Sequence, residues 1–218
     1  MTPERTVEDY IKAVYKLQRA GARVTTSALA AELQLADASI TDMIKKLSRK
    51  GYLRYVPYQG VGLTERGRRT ALKIVRRHRL WEMYLVRFLK FSWDKVHDEA
   101  ERLEHATSDE LEKQLDEALG WPQADPHGDP IPTSDGSITV RHDIPLSACV
   151  PGASVRIRRV SDHDRELLEH AARVGLTLNR KLVVKEKHGF DGSMLVQVGS
   201  QRSFISAQLA SAIFVQPI

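Results

Sequence analysis

The sequence predicts a mainly α-helical protein that ends in a small β domain, with 218 residues divided into three domains. Three observations predict this. Apolar residues recur at helical spacing over most of the chain up to Gly120, a short β-rich segment interrupts them, and short alternating segments such as KLVVKEK follow near the end. The expected domains are residues 1–64, 65–140 and 144–218.

The first domain is predicted to be a winged helix-turn-helix. A second helix begins near Thr26, residues 34–36 form the turn, and Asp37 can cap a third helix that stops at Gly51. The hairpin YLRYVPYQGVGLT, with its turn at Gln59-Gly60, completes the motif.

The charge of the chain is distributed unevenly, which favours DNA as the partner of the first domain. Residues 1–80 contain 17 Lys and Arg against 7 Asp and Glu, whereas residues 81–136 contain 5 against 14. A basic segment is typical of phosphate-backbone binding, and an acidic one suits cations. A charged solvated surface, or a helical interaction module, remains open as an alternative. The residues expected at double-stranded DNA are Ser39, Thr41 and Asp42 near base edges, and Lys46, Arg49, Arg54 and Tyr58 near phosphates.

The second domain is predicted to contain a long helix from Thr64, a helix around VHDEAERLEH, and a third over roughly residues 108–119. The segment ADPHGDPIPTSDGS is dense in Pro, Gly and Asp, which predicts a linker. The last domain has the size and strand pattern of an SH3-like β-barrel.

Histidines and carboxylates recur along one stripe of the second domain. On a helix, positions i, i+4, i+7 and i+8 face the same way, and a second helix shows a further i, i+4 pair. Such stripes can surround a divalent cation, although His/Glu pairs also stabilise helices without one. The stripe residues are His97, Glu101, Glu104 and His105, with His78 and Glu82 on the preceding helix.

Composition and motifs narrow the classes of protein to which the chain can belong. The single cysteine, Cys149, excludes internal disulfides and thiolate clusters, and the apolar runs are too short for a membrane span. The charged N-terminus lacks the apolar middle of a secretory signal, so we expect a cytoplasmic protein. No nucleophile motif, HExxH sequence or Gly-rich phosphate loop is present, so we expect neither an enzyme nor an organic cofactor.

Five segments, VEDYIKAVYKL, the helix-turn-helix, RRHRLWEMYL, VHDEAERLEH and DPHGDPIP, resemble the diphtheria toxin repressor and manganese transport regulator family in order and over nearly the whole chain. The resemblance implies a homodimer that binds operator DNA when loaded with Fe²⁺ or Mn²⁺. It also implies a winged helix domain, a helical dimerisation and metal domain, and an SH3-like C-terminal domain.

The resemblance also implies two metal sites. The primary site would use Asp9, Glu101, Glu104 and His105, and the ancillary site would use His78, Glu82 and His97. Asp125 and His127 are further candidates from the linker, where a simple Pro-Gly turn is the alternative. Asp162, His163 and Asp164 are candidates in the last domain, where a helix N-cap is the alternative.

The predicted ligands favour Mn²⁺. Iron-type members resemble this pattern but carry methionine and cysteine where Asp9 and Glu101 stand, and hard oxygen ligands suit Mn²⁺ better. Fe²⁺ remains possible, and Co²⁺ or Cd²⁺ should bind in vitro. Lys12 stands where short manganese regulators place a glutamate, which argues against a close binuclear cluster.

The resulting hypothesis is a metal-dependent repressor of manganese uptake genes, in which the cation joins the first two domains and sets the spacing of the recognition helices. Two other classes stay open. One is a winged-helix regulator that responds to a non-metal ligand, and the other is a metal-dependent hydrolase.

Overall fold

The structure, a computed structural model, describes residues 3–21, 23–56, 59–162 and 164–218. These residues form two compact units. The first unit contains the chain up to His78 together with Arg102–Glu112 and Pro132–Ile138. The second unit contains Arg79–Glu101, Lys113–Ile131 and Thr139–Ile218.

The first unit contains the predicted winged helix-turn-helix. Its elements are α1 (Pro3–Arg19), α2 (Thr26–Leu33), α3 (Asp37–Arg49), β1 (Leu53–Val56) and β2 (Gly60–Leu63), and the two strands pair antiparallel. Thr25 caps α2 by accepting a hydrogen bond from the backbone N–H of Ala28 at 3.1 Å. Gln34 then ends α2 in the left-handed conformation, with φ 54°, as the predicted turn requires.

The start of α3 differs from the prediction. Ala36 occupies the N-cap position and provides no side-chain hydrogen bond, whereas Asp37 is the first helical residue. The expectation that Asp37 caps the helix is therefore wrong. An acidic side chain in the first turn still stabilises the helix by its interaction with the helix dipole.

A continuous apolar core holds these elements together. α1 contributes the fully buried Ile11, and α3 contributes Ile40, Ile44 and Leu47 at helical spacing. Because α3 buries only this face, its polar residues remain on the opposite side.

Helical segments of the second predicted domain follow. They are α4 (Glu65–Arg87), α5 (Val96–Leu103), a 3-10 turn (Glu104–Ala106) and α6 (Asp109–Leu119). Thr64 caps α4, since its hydroxyl accepts a hydrogen bond from the N–H of Gly67 at 3.0 Å. No helix in the part of the chain that the structure describes has the length and apolar character needed to cross a bilayer.

The second unit ends in a six-stranded antiparallel sheet that has the strand order β3-β8-β4-β5-β6-β7. The elements are β3 (Ile144–Pro145), β4 (Ser154–Val160), α7 (Arg165–Arg173), β5 (Lys181–Lys187), β6 (Met194–Val198), β7 (Gln201–Ile205), α8 (Ala207–Ala212) and β8 (Ile213–Pro217). Alternate residues of the central strands, such as Val155 and Ile157 of β4, enter its core. The mainly α fold with a small C-terminal β domain is thus confirmed.

The first part of the segment predicted as a linker is packed. Most of residues 125–132 are buried, so the linker prediction is wrong for this part, whereas residues 133–137 are mostly exposed. Buried arginines explain the packing: the guanidinium of Arg79 donates to the carbonyl of Pro130 at 2.5 Å, and that of Arg76 donates to the carbonyl of Pro132 at 2.7 Å. These bonds satisfy backbone oxygens that a buried loop would otherwise leave without a partner.

Candidate metal centres and DNA-binding surface

A histidine is surrounded by carboxylates in the first unit. Nδ1 of His105 lies 2.7 Å from a carboxylate oxygen of Glu8, and its Nε2 lies 2.9 Å from Asp9 and 3.3 Å from Glu104. We call these four residues the His105 cluster. Glu8 and Asp9 belong to α1, whereas Glu104 and His105 belong to the 3-10 turn, so the cluster joins segments almost 100 residues apart.

These surroundings favour the imidazolium form of His105. Burial by itself would lower the pKa of His105, but the close contacts with Asp9 and Glu8 and the negative charge of Glu104 outweigh it and raise the pKa from 6.5 to about 9. Both ring nitrogens face carboxylate oxygens, although only Nδ1 is hydrogen-bonded: the buried Nε2 lies 2.9 Å from Asp9 without hydrogen-bond geometry. A divalent cation at this place would therefore replace a proton.

The carboxylate of Glu104 has two further partners. The Nζ of Lys12 donates to its oxygens at 2.8 and 2.7 Å, and Nδ1 of His78 lies 2.5 Å from one of them. Lys12, His78 and Glu104 are all buried. His78, predicted as an ancillary ligand, therefore contacts a predicted primary ligand.

The predicted stripe is not one continuous helix. α5 ends at Leu103, whose carbonyl accepts a hydrogen bond from the Thr107 hydroxyl at 2.8 Å, and Glu104 begins the 3-10 turn. His97 and Glu101 lie on α5 in the second unit, whereas Glu104 and His105 lie in the first. The role of Glu101 as a ligand of the primary site stays a prediction.

A second group of candidate ligands lies within the second unit. They are Glu82, His127 and Asp162. Each offers one potential ligand atom, and these three atoms lie within 4.8 Å of one another. His97 approaches the same group, with Nδ1 3.3 Å from Glu82 and 3.7 Å from Asp162. The side chains of Glu82 and His127 are fully buried. We call these four residues the Glu82 cluster.

The orientation of His127 is fixed by its other ring nitrogen. Nε2 lies 2.7 Å from the backbone carbonyl of Trp93, whose ring stacks on the imidazole at a centroid distance of 5.7 Å. Nδ1 is directed to the side of Glu82, at 3.9 Å. Burial lowers the pKa of His127, but the charges of Glu82 and Asp125 more than compensate and raise it. A histidine held at one nitrogen while the other faces acidic groups is the arrangement usual for metal ligands.

Asp125 shapes the loop instead of joining the Glu82 cluster. One of its oxygens accepts from the N–H groups of His127 and Asp129, both at 2.9 Å, and the other lies 3.3 Å from Arg79. Burial, followed by the charges of Glu82 and Asp129, raises the pKa of Asp125 to about 7. The predicted turn and the predicted ligand role of His127 are therefore compatible, because the turn places the histidine.

The acidic residues before α7 likewise have different roles, one in the local backbone and one near the Glu82 cluster. Asp164 is the N-cap of α7 and accepts from the N–H groups of Glu166 and Leu167 at 2.9 and 3.2 Å. Asp162 faces the Glu82 cluster, and His163 lies outside the described residues. Glu8, which contacts His105 and was not predicted from the sequence, adjoins Asp9 in the chain, and that adjacency was the available signal.

Comparison with known proteins accounts for all three parts of the chain. Residues 4–61 match the N-terminal DNA-binding domain of the iron-dependent repressors, residues 64–133 match their metal-binding and dimerisation domain, and residues 144–217 match the FeoA domain. A solved manganese-dependent transcriptional repressor in complex with manganese is 38% identical, with a TM-score of 0.91 over 97% of this chain and 100% of that chain.

The chain belongs to the diphtheria toxin repressor and manganese transport regulator family.

Other members of this family cover the chain to a similar extent. The iron-dependent repressor IdeR of Mycobacterium tuberculosis is 27% identical over 98% of this chain and 97% of that protein. The structure of ScaR with bound Cd²⁺ is 30% identical, with a TM-score of 0.84 over 97% of this chain and 99% of that chain. The family is one of metal-dependent transcriptional regulators, and this chain is a three-domain member.

The family's DNA-binding domain presents α3 as the expected recognition helix. Ser39 and Asp42 are exposed at its N-terminal end, and Lys46 and Arg49 are exposed further along. Thr41 is half-buried, and its hydroxyl donates to the carbonyl of Asp37 at 3.1 Å.

Of the two predicted wing residues, the structure describes one. Arg54 is exposed on β1, with one guanidinium nitrogen 3.5 Å from the carbonyl of Leu63, whereas Tyr58 lies outside the described residues. The roles of these residues at DNA stay predictions.

The donor chemistry of both clusters fits a divalent cation. Each contains carboxylate oxygens and at least one imidazole, and neither contains a sulfur ligand. Carboxylates brought this close repel one another unless a positive charge lies among them. Hard oxygen donors with imidazole suit Mn²⁺ and related first-row cations.

Proposed function

We propose that this family member is a manganese-dependent repressor that binds operator DNA as a homodimer. One observation carries the proposal. Asp9 is on α1, whose next residues, Tyr10 and Ile11, belong to the core of the winged helix, and Asp9 lies 2.9 Å from His105. A cation held by the His105 cluster would therefore attach the 3-10 turn to the helix on which the DNA-binding domain is built.

The chain's own residues suggest how metal alters DNA binding. In a dimer, the separation of two α3 helices must match half-sites roughly 34 Å apart or a multiple of that. Asp9, Glu104 and His105 would hold the ion, with Glu101 as a predicted fourth ligand. When bound, the ion would supply a divalent charge that neutralises these carboxylates, and Asp9 would thereby restrict α1 and favour one arrangement of the DNA-binding domain.

Mn²⁺ is the preferred cation in this proposal because the donors at the His105 cluster are oxygens and an imidazole. The relative with manganese in its name, at 38% identity, supports this choice, and the iron-dependent repressors keep Fe²⁺ as the alternative. The relatives are named as repressors, which supports a regulator over a metal-dependent hydrolase.

The Glu82 cluster is proposed as a second metal centre. Its four side chains come from α4, α5, the loop before residue 130 and the segment after β4, all in one unit. Asp125 would orient this centre through the backbone of His127, and Asp162, itself a candidate from the sequence, would be a ligand. A cation here would hold the β domain to the helices of the same unit.

DNA binding with and without Mn²⁺ tests the proposal. Fluorescence anisotropy on an operator fragment should show tight binding with Mn²⁺ and weak, salt-sensitive binding with a chelator. His105→Gln should remove the response to Mn²⁺, whereas the matched change His142→Gln, at an exposed histidine, should keep it. Full response to Mn²⁺ in His105→Gln would show that the His105 cluster is not the regulatory site.

A further inference from the structure

A lysine ammonium group is buried beside the His105 cluster. Lys12 is 4% exposed, and its Nζ donates to both oxygens of Glu104, whose side chain is fully buried. The same Nζ lies 3.3 Å from Nδ1 of His78. A buried ammonium is costly unless it is paired, and here its pairing partner is a predicted metal ligand.

Lys12 also directs its charged group to the His105 cluster and not to the apolar core. It follows Asp9 by three positions on α1, so the two side chains lie on the same face of that helix. Its neighbour Ile11 enters the winged-helix core, whereas the charged end of Lys12 reaches the 3-10 turn. The lysine therefore adds one positive charge to a group of carboxylates that would otherwise repel one another.

We propose that Lys12 is a built-in counter-ion that competes with the divalent cation for Glu104 and so sets the metal concentration at which the protein responds. This rests on the proposed function. Glu104 has two oxygens, and Lys12 binds both, so a cation can bind Glu104 only by sharing it with the ammonium group or displacing it. Two positive groups on one carboxylate repel each other, and this repulsion is strong where water is excluded.

The same contact has an opposite effect before metal binds. Lys12 neutralises Glu104 in the metal-free protein and reduces the repulsion within the cluster. Removing one partner of a buried ion pair leaves the other charge without compensation, which is strongly destabilising. Lys12 thus stabilises the metal-free protein and weakens metal binding at the same time.

The test compares Lys12→Met with Lys16→Met in the full chain. Lys16 lies one turn further along α1, and its Nζ is 3.8 Å from Glu32 with about a third of each side chain exposed. Both changes are made in a Glu82→Gln background, so that calorimetric titration with Mn²⁺ reports the His105 cluster. Thermal unfolding with a chelator gives the stability of the metal-free state.

Lys12→Met should bind Mn²⁺ on the order of 10-fold or more tightly than the background protein, because the competing charge is gone. Its metal-free melting temperature should fall, and Mn²⁺ should raise it by more than in the background protein. Lys16→Met should change neither quantity. Lys12→Gln, which keeps a hydrogen-bond donor without the charge, should show the same gain in affinity if Lys12→Met does not fold.

Unchanged or weaker Mn²⁺ binding in both Lys12 variants would overturn the inference, since Lys12 would then only position Glu104. This outcome is distinct from failure of the proposed function. If the background protein binds Mn²⁺ and responds to it on DNA while the Lys12 variants bind no tighter, only the inference fails. If the background protein binds no Mn²⁺ at the His105 cluster, both fail.

Discussion

The protonated His105 should make the metal-free protein less stable as the pH rises from about 6.5 to about 9. In the folded state, the close contacts with Asp9 and Glu8 and the charge of Glu104 raise its pKa to about 9 against the effect of burial, whereas the unfolded value is near 6.5. A folded-state pKa above the unfolded value means that the folded protein binds the proton more tightly.

The size of the effect follows from this difference in pKa. The folded and unfolded pKa values differ by about 2.5, and each tenfold change in proton affinity is worth roughly 1.4 kcal/mol, so the contribution is at most about 3 kcal/mol. The contribution is fully present below the unfolded pKa and is lost as the pH passes through the folded one. It should therefore be complete near pH 6 and absent above about pH 9.

Urea unfolding in the presence of a chelator measures this contribution. The free energy of unfolding should fall between pH 6 and pH 9 by about 2–3 kcal/mol more in the wild-type protein than in His105→Gln. Taking the difference between the two proteins removes the titration of other groups, such as Asp125. His142→Gln should follow the wild-type curve, and equal pH dependence in His105→Gln and wild type would refute the reasoning.

Three further predictions concern other parts of the chain. Glu82→Gln should remove one Mn²⁺ per chain, as measured by elemental analysis after gel filtration; unchanged stoichiometry would contradict a second centre at the Glu82 cluster. Arg49→Ala should weaken binding to all operator sequences and lower the salt slope by about one, whereas an effect on one base alone would contradict a phosphate contact. Gly128→Ala should cost more than about 2 kcal/mol in chemical unfolding, because the new Cβ would lie 2.1 Å from the carbonyl oxygen of Arg158. Gly136→Ala, with a similar positive φ and no such clash, should cost only about 1 kcal/mol, and equal losses would contradict this explanation.

Local signals made the winged helix predictable from the sequence. The polar residues on α3 alternate with Ile40, Ile44 and Leu47 at the helical period, and all three are fully buried. The turn after α2 begins at Gln34, within residues 34–36 where the sequence predicted it. These features depend on neighbours a few positions apart, so the sequence displays them directly.

The sequence predicted which types of residue form the candidate sites, but not which of those residues lie together. The stripe from His97 to His105 was expected on one helix, but the chain tightens into a 3-10 turn at Glu104. The composition of residues 125–132 predicted a linker because Pro and Gly are common there, yet the distant Arg79 holds that segment by its carbonyls and carboxylates. Pairings between residues roughly 50 positions apart leave no periodic signal in the sequence.

Three positive charges compete for the carboxylates of the His105 cluster under our proposals: the proton on His105, the ammonium group of Lys12 and the divalent cation. The first two are present without metal, so the metal-free cluster is already nearly neutral and need not separate to relieve repulsion. The free energy of metal binding is then the difference between the cluster with the proton and the ammonium group and the cluster with the cation. It is smaller than the full attraction of bare carboxylates for a cation. Weak binding that arises in this way differs from weak binding caused by poor ligands. It should become tighter as the pH rises, and removal of Lys12 should strengthen it without the addition of a single donor atom.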